Sequence, residues 1–137
     1  MANEIEEFIR EFGKMPKELR SQLRPGLRKA GKVVADDVKL RSGWSARIPR
    51  ATRVSVTFSG RRPGVSVVVN KNKAPNARPL EHQGRTGTFR HPVFGKDIWV
   101  AQRARPFLYP ALRAKGGAAA AEIADVVDRV TREAGFR

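Results

Sequence analysis

The chain has two histidines, His82 and His91, and no cysteine. The absence of Cys excludes disulfide scaffolds, thiolate zinc sites and cysteine nucleophiles. Glu81-His82 places a carboxylate beside an imidazole, but neighbours on an extended chain point to opposite faces, so the spacing does not make an acid–base pair. There is no nucleophile elbow, no Gly-rich phosphate loop ending in Lys-Ser or Lys-Thr, and no His-Glu-x-x-His motif. A metal site would need more histidines or clustered carboxylates than the middle of the chain offers. The expectation is a protein with no catalytic residues, no metal and no cofactor, in which both histidines hydrogen-bond within a turn-rich loop.

The chemistry that remains is that of charge. Across 137 residues, 28 Lys and Arg face 13 Asp and Glu, a formal net charge of +15. The charge is not spread evenly: residues 1–37 carry +1, residues 38–115 carry +15 and residues 116–137 carry −1. Such an excess predicts acidic partners. Arg outnumbers Lys 19 to 9. That bias suits bidentate contact with phosphate or carboxylate, and GC-rich codon usage would produce it as well. Lys71, Lys73, Arg78, Arg85 and Arg90 fall in one Pro/Gly/Asn-rich stretch and allow two readings. They contact phosphates, with binding driven by counterion release and weakened by salt, or they meet acidic faces of neighbouring protein subunits and set register and partner choice. A solvated, self-repelling loop is the plain alternative. No RNA-recognition strands, zinc-finger ligands or helix-turn-helix accompany the charge, so any nucleic-acid contact would be sequence-independent. Phe89, Phe94, Trp99, Phe107 and Tyr109 crowd the region of Arg90, Arg103 and Arg105, a composition shared by protein interfaces. Phe107 is expected in the core, and Trp99 fits core or interface.

The elements that must position these residues follow from periodicity. The length suits one domain spanning residues 1–137, and no apolar run approaches the ~20 residues of a membrane span. The start, MANEIEEFIREF, is acidic where a signal peptide is basic and apolar, which with the lack of Cys fits intracellular synthesis. Asn3 and Glu6 form a capping-box-like pair ahead of Ile5, Phe8, Ile9 and Phe12 on one helical stripe, so a helix is expected over 3–12. A second runs from about 16 to 40 on Leu19, Leu23, Leu27, Ala30, Val34 and Val38, with a kink or short break at Pro25-Gly26. After a connection over 41–52 the period changes to two: Val54, Val56 and Phe58, then Val65, Val67 and Val69, predict a hairpin over about 53–70 with a basic Gly/Pro turn. Residues 70–96 show little periodicity and read as a long basic loop, with room for a short strand in 77–82; loops of this length are usually functional or ordered by a partner. A strand is expected over 97–102, a helix over 106–115, a hinge at Gly116-Gly117 and a last helix over 118–134. The fold class is α+β, a small, largely antiparallel sheet with N- and C-terminal helices packed on one side.

The order of features resembles a specific family. The stretch HPVFGKDIWVAQRARPFLYPAL (91–112), preceded by APNARPLEHQ (74–83), is similar to the neck proteins of tailed bacteriophages. These are the head–tail connector, tail-completion or minor-tail proteins of long non-contractile-tailed phages, in their actinobacteriophage versions. The family pattern is met by the turn Ser42-Gly43-Trp44, the hairpin, the element Pro79-Leu80-Glu81-His82 and the helix start Arg105-Pro106-Phe107-Leu108. It departs from the pattern where Ser-Gly-Trp-Ser replaces Thr-Gly-x-Leu. The resemblance spans about residues 17–134. It implies a structural virion protein, made in the host bacterial cytoplasm and assembled as a ring, typically hexameric, coaxial with the portal and tail tube, with no catalysis and no cofactor. The partners implied are further copies of the chain, adjacent neck, portal-adaptor or tail-tube proteins, and genome DNA in the lumen; no membrane is involved. Stopper, tail-completion and terminator layers all fit. Candidate interface residues are Arg61, Arg62, Arg85, Arg90, His91, Phe94, Trp99 and Arg105, with sheet edges or the long loop of one copy meeting the next.

Overall fold

A computed structural model describes residues 17–58, 64–92 and 98–135. The helix expected over 3–12 lies outside them, as do Arg61, Arg62 and Phe94. The described chain is α+β. Its elements are α1 (Lys17–Arg41), α2 (Ile48–Ala51), β1 (Thr52–Thr57), β2 (Gly64–Val69), α3 (Ala77–Glu81), a 3-10 turn (His82–Gly84), β3 (Thr88–Pro92), β4 (Trp99–Arg103) and α4 (Leu108–Glu133).

The stripe on α1 is buried throughout, from Leu19 to Val38. No break occurs at Pro25, which lies inside the continuous helix. Pro removes one i→i−4 bond at a cost of ~3 kcal/mol, and the buried Leu23 and Leu27 on either side offset it. Gly26 has a separate reason: a Cβ there would lie 2.6 Å from Val126 Cγ1, so its lack of a side chain lets α1 and α4 approach.

The α4 helix likewise runs unbroken where a hinge was expected. Gly116 and Gly117 sit in its interior, held helical by burial of Ala111 before them and of Ala119, Val126 and Val130 after them. Packing of a long amphipathic face outweighs a local propensity penalty of ~1 kcal/mol per Gly. Ala134, the expected last residue of that helix, lies just past the end of α4 and is exposed.

Strands β1 and β2 pair antiparallel with Val54 opposite Val67 and Val56 opposite Val65, as the alternation requires. They do not form one sheet with the later strand. Instead β3 and β4 pair as a second two-stranded ribbon, with Phe89 opposite Gln102 and Pro92 opposite Trp99. The loop expected over 70–96 is therefore not structureless. It holds a helical turn where a strand in 77–82 was considered: Ala77 N–H donates to Ala74 O at 3.1 Å and Leu80 N–H to Asn76 O at 3.2 Å, and Ala77 and Leu80 are buried in the core.

The core has two lobes. The first gathers Val38, Ile48, Leu80, Phe107 and Ala111; the second gathers Leu19, Leu23, Leu27, Val56, Phe58, Val126 and Val130. The start of α1 meets the end of α4 in the second, so the two long helices are antiparallel. Arg24 ties α1 to the hairpin, with its guanidinium 5.0 Å from the Phe58 ring centroid and Nη1 donating to Val56 O at 3.2 Å.

Candidate functional site

Three short segments far apart in sequence meet at the start of α4. The carboxylate of Glu81, 6% exposed, accepts the N–H of Phe107 at 2.6 Å and of Leu108 at 2.9 Å on Oε2, and that of Tyr109 at 2.7 Å on Oε1. These are orphan donors of a helix N-terminus, and an anion there is stabilised by the helix dipole. Leu80 O accepts from Arg105 N–H at 2.8 Å. The Arg105 guanidinium lies 4.1 Å from the Trp44 ring centroid, and Trp44 meets the Phe107 ring edge-on at 6.4 Å. Trp44 is itself held by Nε1 donating to Arg41 O at 2.9 Å, and the buried Ser42 hydroxyl donates to Val38 O at 2.7 Å. Glu81 thus acts as a side-chain cap delivered from 26 residues upstream. The sequence rejects Glu81 as an acid–base partner of His82 but gives it no role; the signal that could have marked it is its solitude, since Asp97 is the only other carboxylate in residues 38–115.

Reaching this position demands an unusual turn. His82 and Gln83 have φ of 48° and 56°, and Gly84 follows at 77°. Left-handed backbone costs a non-Gly residue about 1–2 kcal/mol. Gly84 is required twice over, because a Cβ there would lie 2.6 Å from Tyr109 Cβ. His82 stacks on Phe89 with centroids 5.9 Å apart, which is how the side chain is used; it does not face Glu81 as a dyad partner.

Around this turn opens a broad basic concavity. Arg53 from β1, Lys71, Arg78 and Arg85 line it, with His82 and Phe89 in its wall. All four cations are exposed, and among the described residues none pairs with a carboxylate; the two ion pairs are Arg41–Asp37 and Arg132–Asp128. The structure therefore brings together three of the five expected contact residues, Lys71, Arg78 and Arg85. Lys73 is exposed nearby without lining the concavity, and Arg90 stands apart on β3. Arg53 was missed by sequence reasoning, although its outward place in the β1 alternation was legible.

The remaining interface candidates divide by location. Arg90 and Trp99 share one face of the ribbon with Thr88, Ala101 and Arg103, because the register places Phe89 and Gln102 on the other. Trp99 is 57% exposed and Ile98 54%, which removes the core alternative for Trp99, whereas Phe107 is buried as expected at 1%. His91 lies on β3, of which only the backbone is described. Arg105 is committed to Trp44. Among the described residues there is no group of three metal-ligating side chains, and no helix is long and apolar enough to cross a membrane.

Comparison of the chain with protein-family models, with curated proteins and with solved structures gives no match.

Proposed function

We propose that the chain is a structural virion protein that forms a ring at the head–tail junction of a long-tailed phage, joining the portal complex to the tail tube. The observation that carries this reading is the convergence at α4. Three elements at positions of the family pattern, the Pro79-Leu80-Glu81-His82 segment, the Arg105-Pro106-Phe107-Leu108 helix start and the turn Ser42-Gly43-Trp44 where the chain departs from Thr-Gly-x-Leu, build one cluster through the Glu81 cap and the Arg105–Trp44–Phe107 stack. Motifs that depend on one another physically support a shared architecture better than isolated matches would.

Two surfaces suit assembly. Among the described residues the β3–β4 ribbon is two strands wide, and such a ribbon is marginally stable alone. One face presents Trp99, Arg90 and Arg103, with Trp and Arg among the residue types that dominate binding energy at interfaces. The basic concavity is the second. In a ring, copies make heterologous contacts that close when the rotation is right, and so much positive charge in one ring requires acidic neighbouring proteins or genome DNA in the lumen. The reading calls for no catalysis and no cofactor.

The test is genetic and structural. Trp99→Ala and Arg103→Glu, both on exposed positions, are expected to leave the fold intact and yield unjoined heads and tails. In complete particles the protein is expected as an axial ring between portal and tail. Particles that join normally without it would refute the proposal. A second reading is favoured by the unpaired cluster Arg53, Lys71, Arg78 and Arg85: sequence-independent nucleic-acid binding by the isolated chain. A gel-shift series over salt concentration decides it, since absence of duplex binding near physiological salt eliminates this reading.

A further inference from the structure

The described chain has concave surfaces of two kinds. An apolar groove opens beside β2, lined by Val65, Val67 and Leu112 with no charged side chain. The basic concavity around the turn at His82 is the other kind, with a volume of about 1350 Å³. Clefts that hold a small molecule measure ~300–1,000 Å³, so a segment of a polymer fills this one better.

We infer that the concavity binds an extended acidic segment of a neighbouring protein, whose carboxylates pair with Arg53, Lys71, Arg78 and Arg85. The inference rests on the assembly reading for the source of the segment, and on the site alone for its chemistry.

Charge is the first observation. All four cations are exposed, and neither ion pair among the described residues involves them. The one carboxylate among the described lining residues, Glu81, is engaged by three backbone N–H groups. The concavity therefore presents uncompensated positive charge, and a cleft lined by one sign of charge focuses its field. Arg supplies three of the four cations, and its planar fork matches a carboxylate bidentately.

The second observation is that these cations stand on backbone already fixed by hydrogen bonds. Arg53 lies in the paired strand β1, opposite Val68. Lys71 lies in the turn where Asn72 N–H donates to the Asn70 side chain at 2.8 Å. Arg78 O accepts the N–H of His82, and Arg85 N–H donates to His82 O at 3.0 Å. A site organised in advance loses less ordering free energy on binding.

The lining favours a peptide over a nucleic acid. Sequence-independent binding of single strands relies on open aromatic faces. Here Phe89 is half-buried against the first lobe and stacked on His82, and Tyr109 lies against Gly84. Asn72 and Gln83 add exposed amide groups. An amide both donates and accepts, which matches a peptide backbone, whereas a DNA backbone offers acceptors alone.

The test is fluorescence anisotropy on the full chain near physiological salt. The probe is a fluorescein-labelled peptide of four Glu-Glu-Gly repeats. Competitors are an unlabelled oligothymidylate strand of twelve nucleotides and a duplex of twelve base pairs. Arg78→Glu with Arg85→Glu is compared with Lys29→Glu with Arg129→Glu, exposed positions outside the concavity that change net charge equally. Circular dichroism of both variants should match the unaltered chain. The peptide is expected to bind, with affinity at least tenfold lower in the first variant and less than threefold lower in the second. Neither nucleic acid should displace it at equal concentration. Absence of peptide binding, or equal weakening in the two variants, would overturn the inference. Displacement by the strand or the duplex would overturn it in favour of nucleic acid. Ring formation is judged separately: a chain that binds the peptide but is absent from the head–tail junction refutes the ring and leaves the site standing. An axial ring built from a chain that ignores the peptide refutes this inference alone.

Discussion

Removing the Glu81 carboxylate should cost this protein more than any other single surface-distant polar change. Its two oxygens satisfy three backbone N–H groups at 2.6, 2.9 and 2.7 Å, and no buried side-chain polar atom among the described residues lacks a partner. In Glu81→Ala the Phe107 N–H, enclosed in the core, is left unsatisfied at ~1–3 kcal/mol. The Leu108 and Tyr109 donors are part-buried and recover some hydration, but the cap and its dipole interaction are lost, a further ~1–2 kcal/mol. The expected loss is about 3 kcal/mol, read as a lower urea midpoint with unchanged slope. For a domain of this size it corresponds to a fall in Tm of ~10 °C. Glu81→Gln keeps the shape and one acceptor oxygen but turns an NH2 toward a backbone donor, so about 1–2 kcal/mol is expected. Amide exchange at residues 107–109 should accelerate in the Ala variant ahead of global unfolding. A loss below 1 kcal/mol for Ala, or equal losses for Ala and Gln, would refute the reasoning that a charged cap organises the start of α4.

Other substitutions probe the helix contacts and the basic face. Gly31→Ala places a Cβ 2.7 Å from both Val54 Cγ1 and Val65 Cγ1; overpacking should exceed the gain in helix propensity and destabilise by about 1–2 kcal/mol, with Val65→Ala added in the same chain less costly than the sum in a double-mutant cycle. Gly117→Ala meets nothing within 4 Å and lies inside α4, so denaturation should show stabilisation by up to ~1 kcal/mol. Arg105→Ala removes the cation stacked on Trp44 and should cost ~0.5–1 kcal/mol, with altered near-ultraviolet circular dichroism from Trp44. If duplex DNA binds at all, each Ala substitution among Arg53, Lys71, Arg78 and Arg85 should lower the slope of log K against log salt by about 0.9; an unchanged slope would remove that residue from the contact.

The hairpin and the stripe of α1 were legible because they obey local periodicities of two and 3.6; the α1 stripe is buried at Leu19, Leu23, Leu27 and Val38 and β1 buries Val56, whereas the valines of β2 are half-buried on both faces. The hinge expected at Gly116-Gly117 does not occur, and of the kink or short break expected at Pro25-Gly26 the break does not occur, for one reason. Local propensity penalises those residues, but the cost is about 1–3 kcal/mol, and burial on both sides of each site exceeds it. The stretch 70–92 looked structureless because its order comes from partners distant in sequence: Glu81 on residues 107–109, Leu80 O on Arg105, and β3 on β4.

The concavity mixes both kinds of information. Lys71, Arg78 and Arg85 were marked by composition, whereas Arg53 joins them only because the hairpin folds its strand beside the turn at His82. The sequence by itself determined the α+β class, the faces of α1 and the hairpin, and the concentration of charge between residues 38 and 115, since each depends on neighbours within a few residues. Tertiary structure alone decided that Glu81 caps a helix, that Trp44, Arg105 and Phe107 stack, that Trp99 stands in solvent, and that a groove opens beside β2. Each of those is a meeting of segments whose separation along the chain leaves no periodic trace, and only the shared core brings them into contact.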